Sequence, residues 1–368
     1  MTPDTLLATR LANQQLAVRA HADPRDVVAH LGAVQAQEYG QSLWALALRA
    51  EGVGLTAIEA AVAEGTILRT WPMRGTIHFV PARDARWMVN LLAQRKIRQM
   101  RNVYEKIGLT TSVLGRAGDI VQAALAGGRR VQRRDLYAIL SQHGIDCSAS
   151  PNGSRGGQIL TYLSMLGQIC LGPLDGRQAT FVLLAEWAAE PETPKEPLAE
   201  LAIRYFGSHG PATARDFSWW SGLTLAEIRQ ATELAGTALR RVEIDGQDHW
   251  LGAATSPSAD PPSGAYLLPA FDEYTVAYRD RTALFGGREL SQSDMLNPLM
   301  VLDGRAVGVW RATASKTRCT ITLAPFDGVT RAEVERFDAP CSEYATFLGL
   351  PVEVVAGDHR QVRRMRTQ

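Results

Sequence analysis

Lysine is scarce in this 368-residue chain: Lys96, Lys106, Lys195 and Lys316 are the only four, although lysine and arginine together number 39. None lies in an apolar stretch that would depress its pKa, so chemistry through a nucleophilic amine has little to work with. Cysteine is equally sparse. Cys147, Cys170, Cys319 and Cys341 form no Cys-x-x-Cys pair and have no histidine at ligand spacing, which argues against zinc. The seven histidines include no His-x-x-x-His pair, and no metal site is expected. Gly-x-Ser-x-Gly, a P-loop and a dinucleotide fingerprint are all missing; Gly115-Arg-Ala-Gly118 is too sparse and wrongly placed, so no cofactor is expected. No apolar run approaches the length of a membrane span, and the N-terminus lacks a basic region followed by an apolar core. The expectation is a cytoplasmic protein away from membranes.

What the chain does hold is ordinary globular composition, 46% hydrophobic and 21% charged, at a length suited to two to four modules. The net charge of +1 is not that of a strongly basic polyanion binder, but the charge is unevenly spread. Arg95, Lys96, Arg98 and Arg101 share one helical segment, Arg129, Arg130, Arg133 and Arg134 another, and Arg360, Arg363, Arg364 and Arg366 crowd the tail. Such clusters can build a positive surface on a neutral protein, or be solvated helix faces. Composition leaves both readings open.

Taken in order, the chain reads as α+β and mainly helical. Helices are expected over 5–16, from Asp23-Pro24 to an end within Leu31–Val34, over 43–49 and over 56–64, the last capped by Thr56 with Glu59 three residues on. Strands over 67–71 and 76–80 follow, completing a winged helix-turn-helix plan. The plan recurs: helices near 86–104, 114–126, 132–140 and 158–166 precede strands 169–171 and 180–182; helices 198–206 and 224–233 precede strands 239–244 and 249–251. Arg134-Asp135-Leu136 aligns on Arg215-Asp216-Phe217 at an offset of 81 residues, an internal repeat in which both aspartates read as helix caps or scaffold ion pairs. From Pro261 the texture turns β-rich, with short strands including 275–278, a tight turn at Asp303-Gly304 and a closing helix over 331–348. The expected architecture is three tandem winged-helix units, 1–84, 85–190 and 191–260, and a β-rich domain over 261–368 with a basic tail.

Between Gly32 and Gly40 lies Val34-Gln35-Ala36-Gln37. Residues i and i+2 share a side only where the backbone is extended, so a joint task for Gln35 and Gln37 requires a break between helices there. Two amides offer acceptors and donors without charge or titration. They can aim a water and lay dipoles beside a developing cation, but they shuttle protons poorly. From spacing alone, surface or cap glutamines are the simpler reading.

Together with Arg69-Thr-Trp71-Pro-Met-Arg74-Gly75-Thr76-Ile-His78, Leu267-Leu-Pro-Ala-Phe-Asp272-Glu273-Tyr274 and Val301-Leu-Asp303-Gly304-Arg-Ala-Val-Gly308-Val-Trp310, the glutamine stretch resembles the winged-helix DNA glycosylase family of AlkZ and YcaQ over nearly the whole chain. The Gln-x-Gln form is similar to the AlkZ-type branch, associated with self-resistance to DNA-alkylating natural products. The resemblance implies Gln35 and Gln37 at the catalytic centre, and monofunctional excision of bulky or crosslinked N7-alkylpurines from double-stranded DNA by a monomer. It also implies that Arg74, Thr76 and His78 wall the DNA site. Against this, Arg74 could pair with Glu38 or Glu64, and His78 could be a core histidine. Arg95, Arg98, Arg133 and the hairpin-tip residues Lys316 and Arg318 are the remaining candidate DNA contacts. Trp44 and Trp71 read as core, and Asp272 and Glu273 as bracing between the third unit and the β-rich domain. A non-catalytic winged-helix DNA-binding protein or transcription regulator is the alternative; helix 158–166 is poor in side chains that read base edges, which favours lesion over sequence recognition.

Overall fold

The computed structural model describes residues 2–150, 153–188, 192–258, 260–288 and 296–360. It divides into two compact units, Met1–Glu59 with Leu198–Gln368, and Ala60–Pro197. In chain order the first opens with α1 (Pro3–Asn13), α2 (Pro24–Leu31), a two-residue β1 (Val34–Gln35), α3 (Tyr39–Ala47) and α4 (Leu55–Ala63), which crosses the boundary. Asp23 caps α2 and Pro24 takes its first position, as the sequence requires. Helix α4 begins at Leu55, so Thr56 lies inside it and is not its cap.

The second unit contains β2 (Ile67–Met73), β3 (Thr76–Pro81), α5 (Ala85–Lys106), α6 (Thr111–Leu125), β4 (Val131–Gln132), α7 (Arg133–Gln142), β5 (Ala149–Ser150), β6 (Gly153–Ser154), α8 (Arg155–Met165), β7 (Ile169–Asp175), β8 (Gln178–Leu183) and α9 (Leu184–Trp187). Its β2–β3 and β7–β8 hairpins, expected as separate wings, share one sheet in the order β3-β2-β7-β8-β4, joined by Arg69 opposite Leu171. The reason is burial: all seven residues of β2 are covered, so this strand is central rather than a solvated wing. Trp71 stacks on Phe181 at 6.5 Å, a core role as expected.

The first unit resumes with α10 (Pro197–His209), α11 (Ala214–Ser221), α12 (Leu225–Ala235), β9 (Leu239–Ile244) and β10 (Gln247–Gly252), then β11 (Ala265–Leu268), α13 (Glu273–Val276), α14 (Thr282–Phe285), β12 (Leu299–Leu302), β13 (Arg305–Ala314), β14 (Cys319–Pro325), α15 (Arg331–Glu335), α16 (Asp338–Leu348) and β15 (Val352–Ala356). Asp245 and Asp303 both take positive φ ahead of glycine, the backbone of the tight turns that Asp-Gly favours. Asp135 and Asp216 each stand at the third position of their helices, α7 and α11, which agrees with the 81-residue offset. Asp216 completes a capping box with Thr213, whereas Asp135 is exposed beside Arg134.

Strands β11 to β15 form one sheet in chain order, antiparallel except for the parallel β14–β15 pair, a closing strand that the sequence reading missed. The expected helix 331–348 breaks at Arg336, whose guanidinium grips the turn residue Asp303 at 2.7 and 2.8 Å, and at the fully buried Phe337. The expected strand over 275–278 is instead the helical turn α13, because Asp272 accepts the Tyr274 N–H at 2.9 Å and Thr275 bonds back to its carbonyl.

The contiguous first unit of 1–84 is not what the chain builds. Its helices pack with the C-terminal sheet: Trp44 on α3 donates to the Leu267 carbonyl at 2.7 Å and meets Tyr344 of α16 edge-on at 5.0 Å. Contacts across more than 200 residues are what a local reading cannot see. Among the described residues, no helix is long and apolar enough to cross a membrane. Part of the proline-rich linker and of the basic tail, with Arg363, Arg364 and Arg366, lies outside the described residues.

Candidate active site

Helix α2 stops because Gly32 takes φ +79°, a left-handed conformation that a β-carbon would strain. The chain then stays non-helical until Glu38, itself extended, opens α3. The glutamine pair therefore falls where a joint task requires it, between two helices. Gln35 lies in β1 and is 8% exposed, Ala36 is fully buried, and Gln37 is exposed. One amide is thus nearly covered and the other open to solvent.

Beneath them is a buried polar network. The Gln35 backbone N–H donates to Glu273 Oε1 at 2.8 Å, and Glu273 Oε2 accepts the Trp220 indole N–H at 2.9 Å and lies 3.5 Å from His209 Nε2. Asp272 takes both terminal nitrogens of Arg49, at 2.8 and 2.7 Å, with both side chains fully buried. Arg49 also reaches the Ala45 carbonyl and Gln14 Oε1; Gln14 Nε2 donates to Tyr278, which donates to the His209 carbonyl. Burial raises the Tyr278 and Tyr274 hydroxyls well above the usual phenol range, so both remain neutral donors. Burial also holds the His30 imidazole, at the end of α2, below its ordinary value, and it is neutral at pH 7. The Asp272-Glu273 pair braces as expected, Glu273 holding Trp220 of α11, and beyond that expectation it also holds the N-terminal segment through Arg49 and the Gln35 N–H.

The remaining candidates lie on β3 and the turn before it, α5, α7 and the β13–β14 hairpin. Arg74 sits at φ +56° in the β2–β3 turn, so only Thr76 and His78 alternate on β3 and the expected three-residue face does not form. His78 is fully buried, its Nδ1 3.0 Å from the Thr76 carbonyl, which fits the core reading; Thr76 is half-buried. Gly75 takes φ +76°, which strains any other residue, and a β-carbon there would lie 3.0 Å from the stem of Lys96 on α5. Arg95 and Arg98 are exposed on α5. Arg133, exposed at the start of α7, lines a recess of about 230 Å³ with Trp71, Tyr137 and Gln158. Lys316 and Arg318 are exposed at the tip of the β13–β14 hairpin, where Arg318 lies 3.6 Å from Glu353.

Two exposed arginines outside the expected DNA contacts, Arg215 and Arg279, flank a cavity of about 590 Å³ whose wall includes the buried Arg10. Asp216, Asp245 and Asp280 line it as well, so its charge is balanced. Among the described residues no group of three histidine, cysteine or acidic side chains could hold a metal. Burial pushes the Cys170 thiol up to about 12, leaving it inert.

Comparison with known proteins defines the class first, a DNA glycosylase. A family model described as DNA glycosylase AlkZ-like matches residues 28–347, and the chain belongs to that family. The chain is 26% identical over 369 residues to the interstrand DNA cross-link repair glycosylase of Streptomyces sahachiroi, covering 95% of this chain and 98% of that protein. The solved Streptomyces sahachiroi DNA glycosylase AlkZ shares the fold, with a TM-score of 0.75 at 24% identity over 96% of this chain and all of that one.

Proposed function

We propose that the protein is a monofunctional glycosylase that hydrolyses the N-glycosidic bond of bulky or crosslinked N7-alkylpurines in duplex DNA, with Gln35 and Gln37 as the catalytic pair. The observation that carries this reading is the break between α2 and α3, which leaves Gln37 exposed and Gln35 anchored through its backbone. The name of the curated relative supports extending the substrate to interstrand crosslinks. Self-resistance to a DNA-alkylating natural product is the matching biological role, exercised on DNA in the cytoplasm by a monomer.

Alkylation at N7 places a positive charge on the purine, so the base departs neutral without a proton from the enzyme. The sugar gains oxocarbenium character as it leaves. Oriented amide dipoles stabilise that charge and aim a water, without reorganising at the moment of reaction. An unmodified purine would need a general acid, which amides cannot supply.

The element orders α6-β4-α7-α8-β7-β8 and α10-α11-α12-β9-β10 each support a winged unit. Arg155, the residue of α8 best suited by chemistry to read a base, is instead turned onto the Ile107 and Asp146 carbonyls, which favours lesion recognition over sequence reading.

The test is incubation with DNA carrying N7-methylguanine or a bulkier N7 adduct, scoring free base and abasic sites. Release of the adducted base is expected; no release from any adduct would leave a binding protein. Binding should weaken steeply with salt. Alanine at Lys316 is expected to lower the slope of log K against log salt by about 1. Alanine at Arg318 should do less, because Glu353 already engages it. An unchanged slope for Lys316→Ala would remove the hairpin tip from the DNA interface. Arg98→Ala and Arg133→Ala should each act like Lys316→Ala, since among the described residues neither is engaged in an ion pair.

A further inference from the structure

Glu273 is only 1% exposed, 238 residues along the chain from Gln35, yet it meets the main chain of the proposed catalytic segment directly. Its two oxygens divide their work. One accepts the Gln35 N–H at 2.8 Å; the other accepts the Trp220 indole at 2.9 Å. Trp220 is itself fully buried against Tyr205 and Phe217, so the far side of the carboxyl group is seated on a rigid aromatic cluster. The near side holds a two-residue strand whose backbone changes direction at Gly32 and again at Glu38.

We propose that Glu273 is a positioning residue for glycosidic-bond hydrolysis, acting through the Gln35 backbone to set where the two amides stand. The proposal rests on the catalytic reading of Gln35 and Gln37. Asp272 does different work one residue earlier, since its oxygens go to Arg49. The division of labour follows from backbone geometry: Phe271 at φ +61° and the α13 cap turn adjacent side chains to different partners. Catalysis by preorganised dipoles tolerates little displacement, and a shift of about 1 Å can cost about 10²-fold in rate.

Two variants test it. Glu273→Leu removes both acceptors at similar volume. Glu273→Gln keeps a single acceptor oxygen and turns an NH2 toward one of the two donors. Each is assayed for single-turnover release of N7-methylguanine, for DNA affinity, and for hydrogen exchange at the Gln35 amide. For Glu273→Leu the expected result is a rate about 10²-fold lower with near wild-type affinity, and faster exchange at Gln35. Glu273→Gln should fall between this variant and the wild type in both rate and exchange. Should Glu273→Leu fail to fold, Glu273→Gln decides alone. A wild-type rate in the folded variants, or rate and affinity falling together, overturns the positioning role. Wild-type rates for Gln35→Ala and Gln37→Ala would bring down the catalytic pair first. Inactive glutamine variants beside a fully active Glu273→Leu would leave the pair standing and sink only the positioning role.

Discussion

Gln37→Ala is expected to lower release of an N7-alkylated purine by about 10²- to 10³-fold, the usual cost of deleting one preorganised dipole from a transition-state site. DNA affinity should stay within a few-fold, because phosphate contacts supply most of it. Gln37 is the cleaner position to test. It is exposed, so truncation leaves no cavity, and a loss of rate cannot be assigned to a damaged core. Gln35→Ala should give a comparable loss, with some loss of stability because only 8% of Gln35 is exposed. Single-turnover kinetics beside a binding isotherm separates the cases. Rate and affinity falling in parallel at Gln37 would mark a binding role and refute the mechanism.

Asp272→Ala is expected to destabilise the protein by about 3–5 kcal/mol, because it strands a buried guanidinium that its partner had neutralised. Arg49 is fully buried, and both of its terminal nitrogens point at Asp272. The remaining bonds, to Ala45 and Gln14, satisfy hydrogens but supply no counter-charge. Replacing both partners, Arg49→Met with Asp272→Leu, should cost less than either single change, since two apolar side chains leave no charge to strand. Equilibrium unfolding in denaturant measures this. A loss under about 1 kcal/mol for Asp272→Ala would show that water reaches the arginine and that the pair does not lock α3 to the α13 turn.

Much of the local structure was legible because its causes are local. Asp23-Pro24 starts α2 through a side-chain cap and a preset φ, and Asp245-Gly246 and Asp303-Gly304 make their turns through backbone conformations few other pairs adopt. The break holding Gln35 and Gln37 was legible, but the helix end expected within Leu31–Val34 falls at its near edge, because Gly32 stops α2 at Leu31 and Val34 joins β1. Arg74 was misplaced because alternation holds only inside a strand, and a left-handed turn residue interrupts it. The 275–278 segment was misread because β-branched residues favour strands, a preference outweighed here by the Asp272 cap.

The sequence by itself determined the Asp23 cap, the Asp-Gly turns, the interruption at the glutamine pair and, through the resemblance its motifs carry, the family. Tertiary structure alone decided which pieces share a core. It also decided what Asp272 and Glu273 hold. Arg49, Gln35 and Trp44 meet partners more than 200 residues away, and such pairings leave no periodicity in the chain, because they are selected by the burial of polar groups that must find partners once water is gone.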